Sequence, residues 1–428
     1  MRYERLTAGP ETVSEIRKLV PQAANVSADV AAIIADVAAR GDRALNEYTE
    51  RFDESPAPAL RVDGNELQIA LAALPEPARA GLEVAIANVA SVAWTGASDP
   101  RAVPLEQGHT VVVRELPVAR AAVCVPGGQA PYPSTVVMGV VTARAAGVSQ
   151  VAVMTPPPIE PVLLGACALA GVEEVYRVGG AHGIAALALG TETVQPVDVI
   201  VGPGSLYVQE AKRLLSGRVG IDGFAGPSDL FVLFDATDAG SIRLIALDLL
   251  AQAEHGAATL VIAAAPDRSL LDAVEADMHA LEAARRLSSE ACCVLAEVAT
   301  LEEGLALAND YAPEHLELIG PGAEALAPDV RSAGCVFVGW ASATAFGDYV
   351  AGSNHILPTA GSARFASGLR LAHFSRQMAE VRITPQALVG LVPAGAAIAD
   401  AEGFRMHAES MRARLPAIED NQGDDADS

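Results

Sequence analysis

The feature that most constrains the fold of this chain is an alternation of short β-branched segments with alanine-rich segments, which begins near Val111. Segments with strand character occupy 121–125, 150–154, 174–178 and 197–201, and a second series occupies 230–234, 259–263, 292–295 and 335–338. Helical spacing separates most of these strands. Strands that alternate with helices form a parallel sheet covered by helices. The sequence therefore predicts an α/β fold with two Rossmann-like parallel-sheet domains.

Helical periodicity dominates the regions on either side of the strand series, over the first hundred residues and again from about Leu371. We therefore expect helical N- and C-terminal extensions around the α/β domains. The predicted parts are an N-terminal helical extension (1–29), a first α/β domain (30–120 and 230–369), a second α/β domain on the dinucleotide side (121–229), a C-terminal helical section (370–418) and a disordered acidic tail (419–428).

The charge of the chain restricts its partners. It carries 29 Lys and Arg against 53 Asp and Glu, a formal net charge of −24. Such a surface repels phosphate backbones and anionic lipid, so we expect neither nucleic acid nor membrane as a partner. No apolar segment approaches the ~20 residues of a membrane span. A cationic small molecule is compatible with this charge, although solubility alone would also account for it.

Cysteine usage and the N-terminal sequence indicate the compartment. The five cysteines form no CxxC pair and no spacing typical of a disulfide framework. The first residues lead into polar sequence with no apolar signal segment. We therefore expect a cytoplasmic protein.

Glycine-rich turns follow three of the predicted strands, at 126–128, 179–180 and 202–204. In open α/β folds, ligands bind at the carboxyl edge of the sheet, where such turns meet. The three turns therefore predict a ligand site at the edge of the second α/β domain.

Two His-containing segments could carry acid–base or metal chemistry. Gln252 and His255 are three residues apart at the end of a predicted helix, so both could ligate zinc from one face. A His favoured by the helix dipole explains the same pattern. Glu314 and His315 follow a proline on a predicted irregular connection, where a carboxylate could activate water and an imidazole could move protons. A helix start with Glu at its positive end fits this segment equally well.

Three further segments carry polar side chains. Asp348 and His355 lie in a stretch rich in glycine and asparagine, which is dense in polar groups for a plain loop. Ser228, in a Gly-Pro-Ser turn, could bind a ligand or simply complete the turn. Glu402 and His407 by themselves fit a polar surface helix.

The joint occurrence and order of these segments resembles the histidinol dehydrogenase family, from about Val30 to Ala408. The most specific stretch is Ile221 to His255, with Ile-Asp, Ala-Gly-Pro-Ser and Gln-Ala-Glu-His. The Pro-Gly-Gly of 126–128, the Gly-Gly-Ala of 179–181, the Glu-His pair and the stretch 347–358 add to it.

The resemblance implies one zinc ion per subunit, with ligands at the positions of Gln252, His255, Asp348 and His407. It also implies a four-electron oxidation of L-histidinol to L-histidine through the aldehyde, in histidine biosynthesis, with NAD as the acceptor. His315 would be the general base of the alcohol step, and Glu314 would activate water in the aldehyde step. The positions implied for substrate contact are Ser228, Gln252, His255, His315, Asp348, His355, Glu402 and His407. A homodimer is implied, in which the C-terminal section of each subunit reaches the site of the other.

The sequence departs from the family pattern on the cofactor side. Cys124, His182 and Ser205 stand where relatives usually carry Tyr, Gln and Asn, and Asp229 replaces the usual Glu. The first three changes alter packing surface and hydrogen-bonding reach at positions implied for cofactor binding, and the fourth shortens a carboxylate by one methylene. Two other hypotheses therefore stay open: a paralogue that oxidises another small amino alcohol or polyol, such as a sulfonated propanediol, with NAD, and a zinc-binding homologue without catalysis.

Overall fold

The computed structural model describes residues 1–21, 24–53, 59–97, 99–127, 130–287 and 289–415. Its contacts divide the chain into a first unit, Met1–Gly96 with Val118–Phe374, and a second unit, Ala97–Pro117 with Ser375–Ser428. The acidic tail predicted at 419–428 and Gly128 of the first glycine turn lie outside the described residues. The five-part division given above stays a prediction.

The strands, in chain order, are β1 (Arg2–Thr7), β2 (Arg101–Pro104), β3 (Thr110–Pro117), β4 (Arg120–Cys124), β5 (Gln150–Thr155), β6 (Glu174–Arg177), β7 (Val199–Val201), β8 (Gly220–Ile221), β9 (Asp229–Phe234), β10 (Leu260–Ala265), β11 (Cys292–Glu297), β12 (His315–Ile319), β13 (Cys335–Val338) and β14 (Ser375–Arg382).

The helices are α1 (Thr12–Lys18), α2 (Ser27–Arg40), α3 (Asp42–Asp53), α4 (Gly64–Ala72), α5 (Glu76–Trp94), α6 (Pro133–Ala145), α7 (Pro161–Leu169), α8 (Gly180–Leu189), α9 (Leu206–Leu215), α10 (Ala239–Ala253), α11 (Arg268–Arg285), α12 (Leu301–Tyr311), α13 (Pro321–Ala325), α14 (Thr344–Tyr349), α15 (Pro385–Ala401) and α16 (Arg405–Arg412). Short 3₁₀ helices cover Ala327–Asp329, Ser362–Arg364 and Leu371–His373.

A five-stranded parallel sheet has the order β6-β5-β4-β7-β8. Its central strand β4 is buried on both faces. Ala121 and Val123 pack into one hydrophobic cluster, and Ala122 and Cys124 pack into another. Alternate side chains of a strand point to opposite faces, so a strand covered by helices on both sides is apolar at consecutive positions. This explains why its sequence shows no polar alternation.

A six-stranded parallel sheet has the order β1-β11-β10-β9-β12-β13. Its strand β9 divides its side chains in the same way, since Leu230 and Val232 belong to one cluster and Phe231 and Leu233 to another. The two parallel sheets confirm the predicted α/β class.

Two segments predicted to be helical are strands. β1 pairs with β11 at the edge of the six-stranded sheet, and β14 pairs antiparallel with β3. Both carry many charged side chains and are largely exposed. An exposed strand buries too little apolar surface to show a period of two, and its pairing partner is remote in the sequence. Local periodicity therefore gave the wrong element in both places.

The second unit combines an antiparallel sheet with helices. The sheet has the order β14-β3-β2. Helix α15 begins after Thr384, whose side chain accepts the Ala387 N–H. Helices α15 and α16 pack through small side chains, Ala396, Ala399 and Ala408. Within its described residues, the C-terminal section is therefore extended over Ser375–Arg382 and helical over Pro385–Ala401 and Arg405–Arg412.

No helix within the described ranges is long and apolar enough to cross a membrane.

Candidate active site

The Glu-His pair lies at the amino end of β12, beside the amino end of the adjacent strand β9 in the six-stranded sheet. Ser228 precedes β9, Glu314 precedes β12, and His315 is the first residue of β12 and pairs with Leu230. Helix α12 ends at Ala312, which adopts the left-handed conformation with φ of 53°. The predicted irregular connection is therefore confined to two residues, and the sheet itself orients the histidine.

Glu314 is buried, and its carboxylate is held by two donors. The Ser228 hydroxyl donates to Oε2, and the Asp229 N–H donates to the same oxygen over 3.1 Å. Burial raises the pKa of Glu314 to about 7, although these hydrogen bonds favour the ionised form. A carboxyl group with a pKa near neutrality is suited to proton transfer at physiological pH.

His315 is buried in a defined orientation. Its Nδ1 lies 3.1 Å from the Asp229 carbonyl oxygen, which can only accept a hydrogen bond. This contact assigns the proton to Nδ1 and leaves a lone pair on Nε2. Nε2 lies 3.8 Å from Oδ1 of Asp348. Burial lowers the pKa of His315, so the ring is neutral and Nε2 can accept a proton.

Gln252 and His255 come from the end of α10. The Gln252 side chain is buried and donates from Nε2 to the Ser228 hydroxyl oxygen over 2.5 Å. His255 lies beyond the helix end, with Nδ1 3.0 Å from the Gln252 carbonyl oxygen. The Ser228 hydroxyl therefore connects Gln252 to Glu314.

Asp348 lies on α14, and its backbone is fixed by His355. The Asp348 carbonyl oxygen is 2.9 Å from Nδ1 of His355, whose Nε2 is 3.2 Å from the Thr135 hydroxyl. Burial lowers the pKa of His355 to about 4, so this ring is uncharged. Burial also raises the pKa of Asp348.

These side chains surround one cavity of about 450 Å³. Six of the predicted site residues line this cavity: Ser228, His255, Glu314, His315, Asp348 and His355. Gln252 reaches the same group through its bond to Ser228. The first unit thus brings together seven of the residues singled out in the sequence.

Glu402 and His407 belong to the second unit. Glu402 follows the last residue of α15, and His407 lies in α16 with its ring 5.3 Å from that of Phe404. Both side chains are exposed within the described structure.

A buried ion pair in the cavity wall was missed by the sequence analysis. Lys212 donates to the carboxylate of Asp222 and, over 3.0 Å, to the Gly202 carbonyl oxygen. Asp222 accepts the Gly202 N–H over 2.7 Å. The pair therefore fixes the turn after β7. No local pattern marks it, because a lysine on an amphipathic helix normally faces solvent.

A second cavity of about 480 Å³ lies at the carboxyl edge of the five-stranded sheet, where the glycine turns predicted a ligand site. Cys124, His182 and Ser205 all line it, as do glycines of the three turns. Pro126 and Pro203 line both this cavity and the first. The two cavities therefore share part of their walls.

The second cavity carries unpaired polar groups. Helices α8 and α9 begin at its wall, and neither has a side-chain hydrogen bond to cap its N-terminus. His182 is buried, and its Nδ1 has no hydrogen-bond partner among the described residues. Burial lowers the pKa of His182 to about 4. Asp53, which the sequence analysis missed, also lines the cavity, and one of its buried oxygens has no hydrogen-bond partner in the part of the chain that the structure describes.

Within the part of the chain that the structure describes, no three His, Cys, Asp or Glu side chains converge to hold a metal ion. Three of the four predicted zinc ligands, Gln252, His255 and Asp348, belong to the first unit. The fourth, His407, belongs to the second unit.

Comparison with known proteins gives consistent matches over most of the chain. The family model for histidinol dehydrogenase matches residues 17–415. Histidinol dehydrogenase from Cereibacter sphaeroides is 43% identical over 419 residues, covering 93% of this chain and 94% of that protein. The enzyme from Ruegeria pomeroyi is 43% identical over 406 residues, covering 92% and 93%.

A solved structure agrees with these matches. The crystal structure of histidinol dehydrogenase from Elizabethkingia anophelis superposes with a TM-score of 0.89 at 29% identity, covering 98% of this chain and 99% of that chain. The α/β architecture and these matches define an oxidoreductase. The chain belongs to the histidinol dehydrogenase family, as its motifs predicted.

Proposed function

We propose that this oxidoreductase oxidises L-histidinol to L-histidine through the aldehyde, as a zinc- and NAD-dependent step of histidine biosynthesis. The observation that carries the proposal is that Glu314 and His315 share one cavity but differ in proton affinity. Burial raises the pKa of the carboxyl group and lowers that of the imidazole. Two neighbouring groups tuned in this way suit two successive proton transfers.

The donor groups of the first unit fit a catalytic zinc site. Gln252 uses its nitrogen for Ser228, so its oxygen is the atom available to a metal. His255 uses Nδ1 for a main-chain carbonyl, which leaves Nε2. With the Asp348 carboxylate and His407, this gives a mixed nitrogen and oxygen set, whereas structural zinc sites use Cys and His. Zinc, when bound, would hold the amino alcohol and polarise its oxygen.

The second cavity fits a dinucleotide. Its two uncapped helix N-termini offer backbone N–H groups and positive dipole ends to phosphate. The Nδ1 of His182, which has no hydrogen-bond partner within the described ranges, offers one more polar contact. NAD, when bound there, would accept a hydride in each oxidation. Pro126 and Pro203 line both cavities, so the cofactor cavity adjoins the one that contains Glu314 and His315.

In the alcohol step, His315 takes the hydroxyl proton on Nε2. The Asp229 carbonyl keeps the other proton on Nδ1, so the ring presents its lone pair to the cavity. The Asp348 carboxylate, 3.8 Å from Nε2, stabilises the imidazolium that forms.

In the aldehyde step, Glu314 takes a proton from the water that attacks the carbonyl carbon. The Ser228 hydroxyl and the Asp229 N–H hold its carboxylate in place. Because both donors bind the same oxygen, Oε2, the other oxygen is the one that can contact water.

The substrate we propose is cationic. Ser228 and His355 line the cavity, and Glu402 supplies a carboxylate for an amine or imidazole group. Since Glu402 and His407 belong to the second unit, we expect a homodimer in which the C-terminal section of each subunit completes the site of the other. Neither nucleic acid nor membrane has a place in this function, and we expect the protein to work in the cytoplasm.

The test is turnover of purified protein supplied with zinc, L-histidinol and NAD. We expect two NADH for each L-histidine formed, measured by absorbance and by amino-acid analysis. Expression in a histidine auxotroph that lacks this step should restore growth. Absence of turnover at every NAD concentration would overturn the proposal.

A second candidate is a paralogue that oxidises another amino alcohol or polyol with NAD. Cys124, His182 and Ser205 favour it, because all three line the second cavity and differ from the residues usual in the family. A panel of amino alcohols and sulfonated propanediol, assayed by NADH formation, separates the two. A kcat/KM for another substrate far above that for L-histidinol would select the paralogue.

A further inference from the structure

Asp229 makes three hydrogen bonds to the Glu314-His315 pair. Its Oδ1 accepts the Glu314 backbone N–H over 2.7 Å, and its own N–H donates to Glu314 Oε2 over 3.1 Å. Its carbonyl oxygen accepts from His315 Nδ1 over 3.1 Å. Only the first of these bonds uses the side chain of Asp229.

The Asp229 side chain is kept in an unfavourable environment. It is 3% exposed, and burial, with the charge of Glu314, raises its pKa to about 8. The nearby Tyr311 hydroxyl partly offsets this by favouring the ionised form of Asp229 and so lowering its pKa. Arg17 in turn donates to the Tyr311 carbonyl oxygen over 3.0 Å and lies over the Tyr311 ring. A buried carboxyl group is costly unless its hydrogen bonds are satisfied, and here elements α1 and α12 support it.

We propose that Asp229 is a positioning residue that fixes the main chain of Glu314 through its side chain and the ring of His315 through its backbone. The inference rests on the proposed function, because it assigns the two catalytic roles to that pair. The two anchors are chemically separable, because a substitution at position 229 removes the side-chain carboxyl group and leaves the backbone carbonyl.

A small cavity beside Asp229 determines which substitutions the site can accommodate. A cavity of about 210 Å³, lined by Arg17, Asp229 and Tyr311, adjoins the side chain on one side. An additional methylene has room there, so Asp229→Glu retains a carboxylate without overpacking. Asp229→Ala removes the acceptor and leaves the Glu314 N–H unpaired.

The experiment measures the two oxidations separately, with the alcohol or the aldehyde as the substrate. A displacement of about 1 Å in a catalytic group costs roughly 100-fold in rate. In Asp229→Ala we therefore expect kcat for aldehyde oxidation to fall by about 10- to 100-fold. We expect kcat for alcohol oxidation to fall by less than about threefold, because the His315 anchor remains, and KM to stay unchanged in both assays.

Two further variants complete the test, and a third replaces the alanine variant if that variant unfolds. Asp229→Glu should restore most of the aldehyde activity lost in the alanine variant. Asp235→Ala is the matched control, because Asp235 follows the other end of β9 and also accepts main-chain N–H groups, those of Gly322 and Ala323. It should leave both half-reactions unchanged. If the alanine variant unfolds, Asp229→Leu fills the volume without an acceptor and should show the same selective loss.

Equal losses in the two half-reactions, or no loss in either, would overturn the positioning role while the wild-type enzyme remains active. A wild-type enzyme that turns over neither substrate would instead overturn the proposed function.

Discussion

The Ser228 hydroxyl is the smallest group on which the arrangement of the site depends. It donates to Glu314 and accepts from Gln252, so one oxygen joins the proposed water-activating carboxylate to a proposed metal ligand. A hydroxyl can do both at once because it has one proton and two lone pairs. Movement of Gln252 on metal binding would therefore shift the Ser228 hydroxyl and, with it, the carboxylate of Glu314.

Glu314→Gln should separate the two oxidations. The amide cannot take a proton from water, so aldehyde oxidation should fall by about 10²- to 10⁴-fold, while alcohol oxidation falls much less. Stopped-flow measurement of NADH formation from each substrate checks this. His315→Asn is the reciprocal control, since it should lower the rate of alcohol oxidation more than that of aldehyde oxidation. If either variant lost the two oxidations equally, the assigned roles would be contradicted.

The raised pKa of Glu314 predicts a pH dependence. The carboxyl group must be ionised to act as a base, and burial raises its pKa to about 7. Aldehyde oxidation should therefore be low below pH 6, increase through about pH 7 and level off above pH 8. A kcat profile for the aldehyde between pH 5 and 9 tests this, and a midpoint near the usual value of about 4.3 would contradict it.

The sequence singled out the proposed acid–base residues but not their surroundings. Glu314, His315, Gln252 and His255 stand out through the joint order of their motifs, since each motif by itself fits a structural role as well. The ion pair of Lys212 with Asp222 could not be predicted from local sequence, because it forms only when the segment after β8 packs against α9. The tautomer of His315 was equally hidden, since it depends on a carbonyl 86 positions away.

At the level of elements, the turn after β7 is held by a buried charge pair between α9 and the segment after β8. Lys212 is 1% exposed and Asp222 8%. The Gly202 amide and carbonyl both bond to this pair, and Gly202 and Pro203 lie in the wall of the first cavity. The ion pair therefore supports the cavity wall as well as the sheet.

Lys212→Met should destabilise the protein, because it leaves the Asp222 carboxylate buried without its cation. Loss of one partner of a buried pair costs about 3–5 kcal/mol. Urea denaturation should show this as a lower midpoint. The neighbouring Arg213, which pairs with Glu210 on the exposed side of α9, is the matched control. If Arg213→Met were as destabilising, burial would not be the cause.

The elements were predicted well where strands are buried and poorly where they are exposed. β4 and β9 are apolar at every position that faces the two cores, so their type was clear. β1 and β14 are edge strands with charged side chains, and their stability comes from hydrogen bonds to partners far along the chain. Tertiary pairing decided their structure against local propensity.

At the scale of the whole molecule, the excess of acidic residues is matched by carboxyl groups inside the first cavity. A net charge of −24 attracts cations, and the first cavity contains the carboxyl groups of Glu314 and Asp348. A divalent cation bound there would offset the cost of burying them. The net charge is known from the sequence, but only the folded structure shows that these carboxyl groups lie in one cavity.

Removal of metal should lower both activity and stability. Chelation with EDTA should abolish turnover, and zinc should restore it. A ligand that binds only the folded protein stabilises it by about 2.7 kcal/mol at 100 times its Kd, so Tm should fall on chelation. Calorimetry and metal analysis measure this. Asp348→Asn should reduce the zinc content and the Tm difference, whereas an unchanged Tm difference would exclude Asp348 as a ligand.

The pairing of β9 with β12 also determines when during folding the active site can exist. Asp229 and Glu314 are 85 positions apart, and β10, β11 and their helices lie between them in the sequence. Parallel strands so far apart meet only after a long chain segment has closed, which is a slow process. Asp229 can therefore hold Glu314 and His315 only after β9 and β12 have paired across this interval, and a partly folded chain without that pairing leaves the two side chains unpositioned.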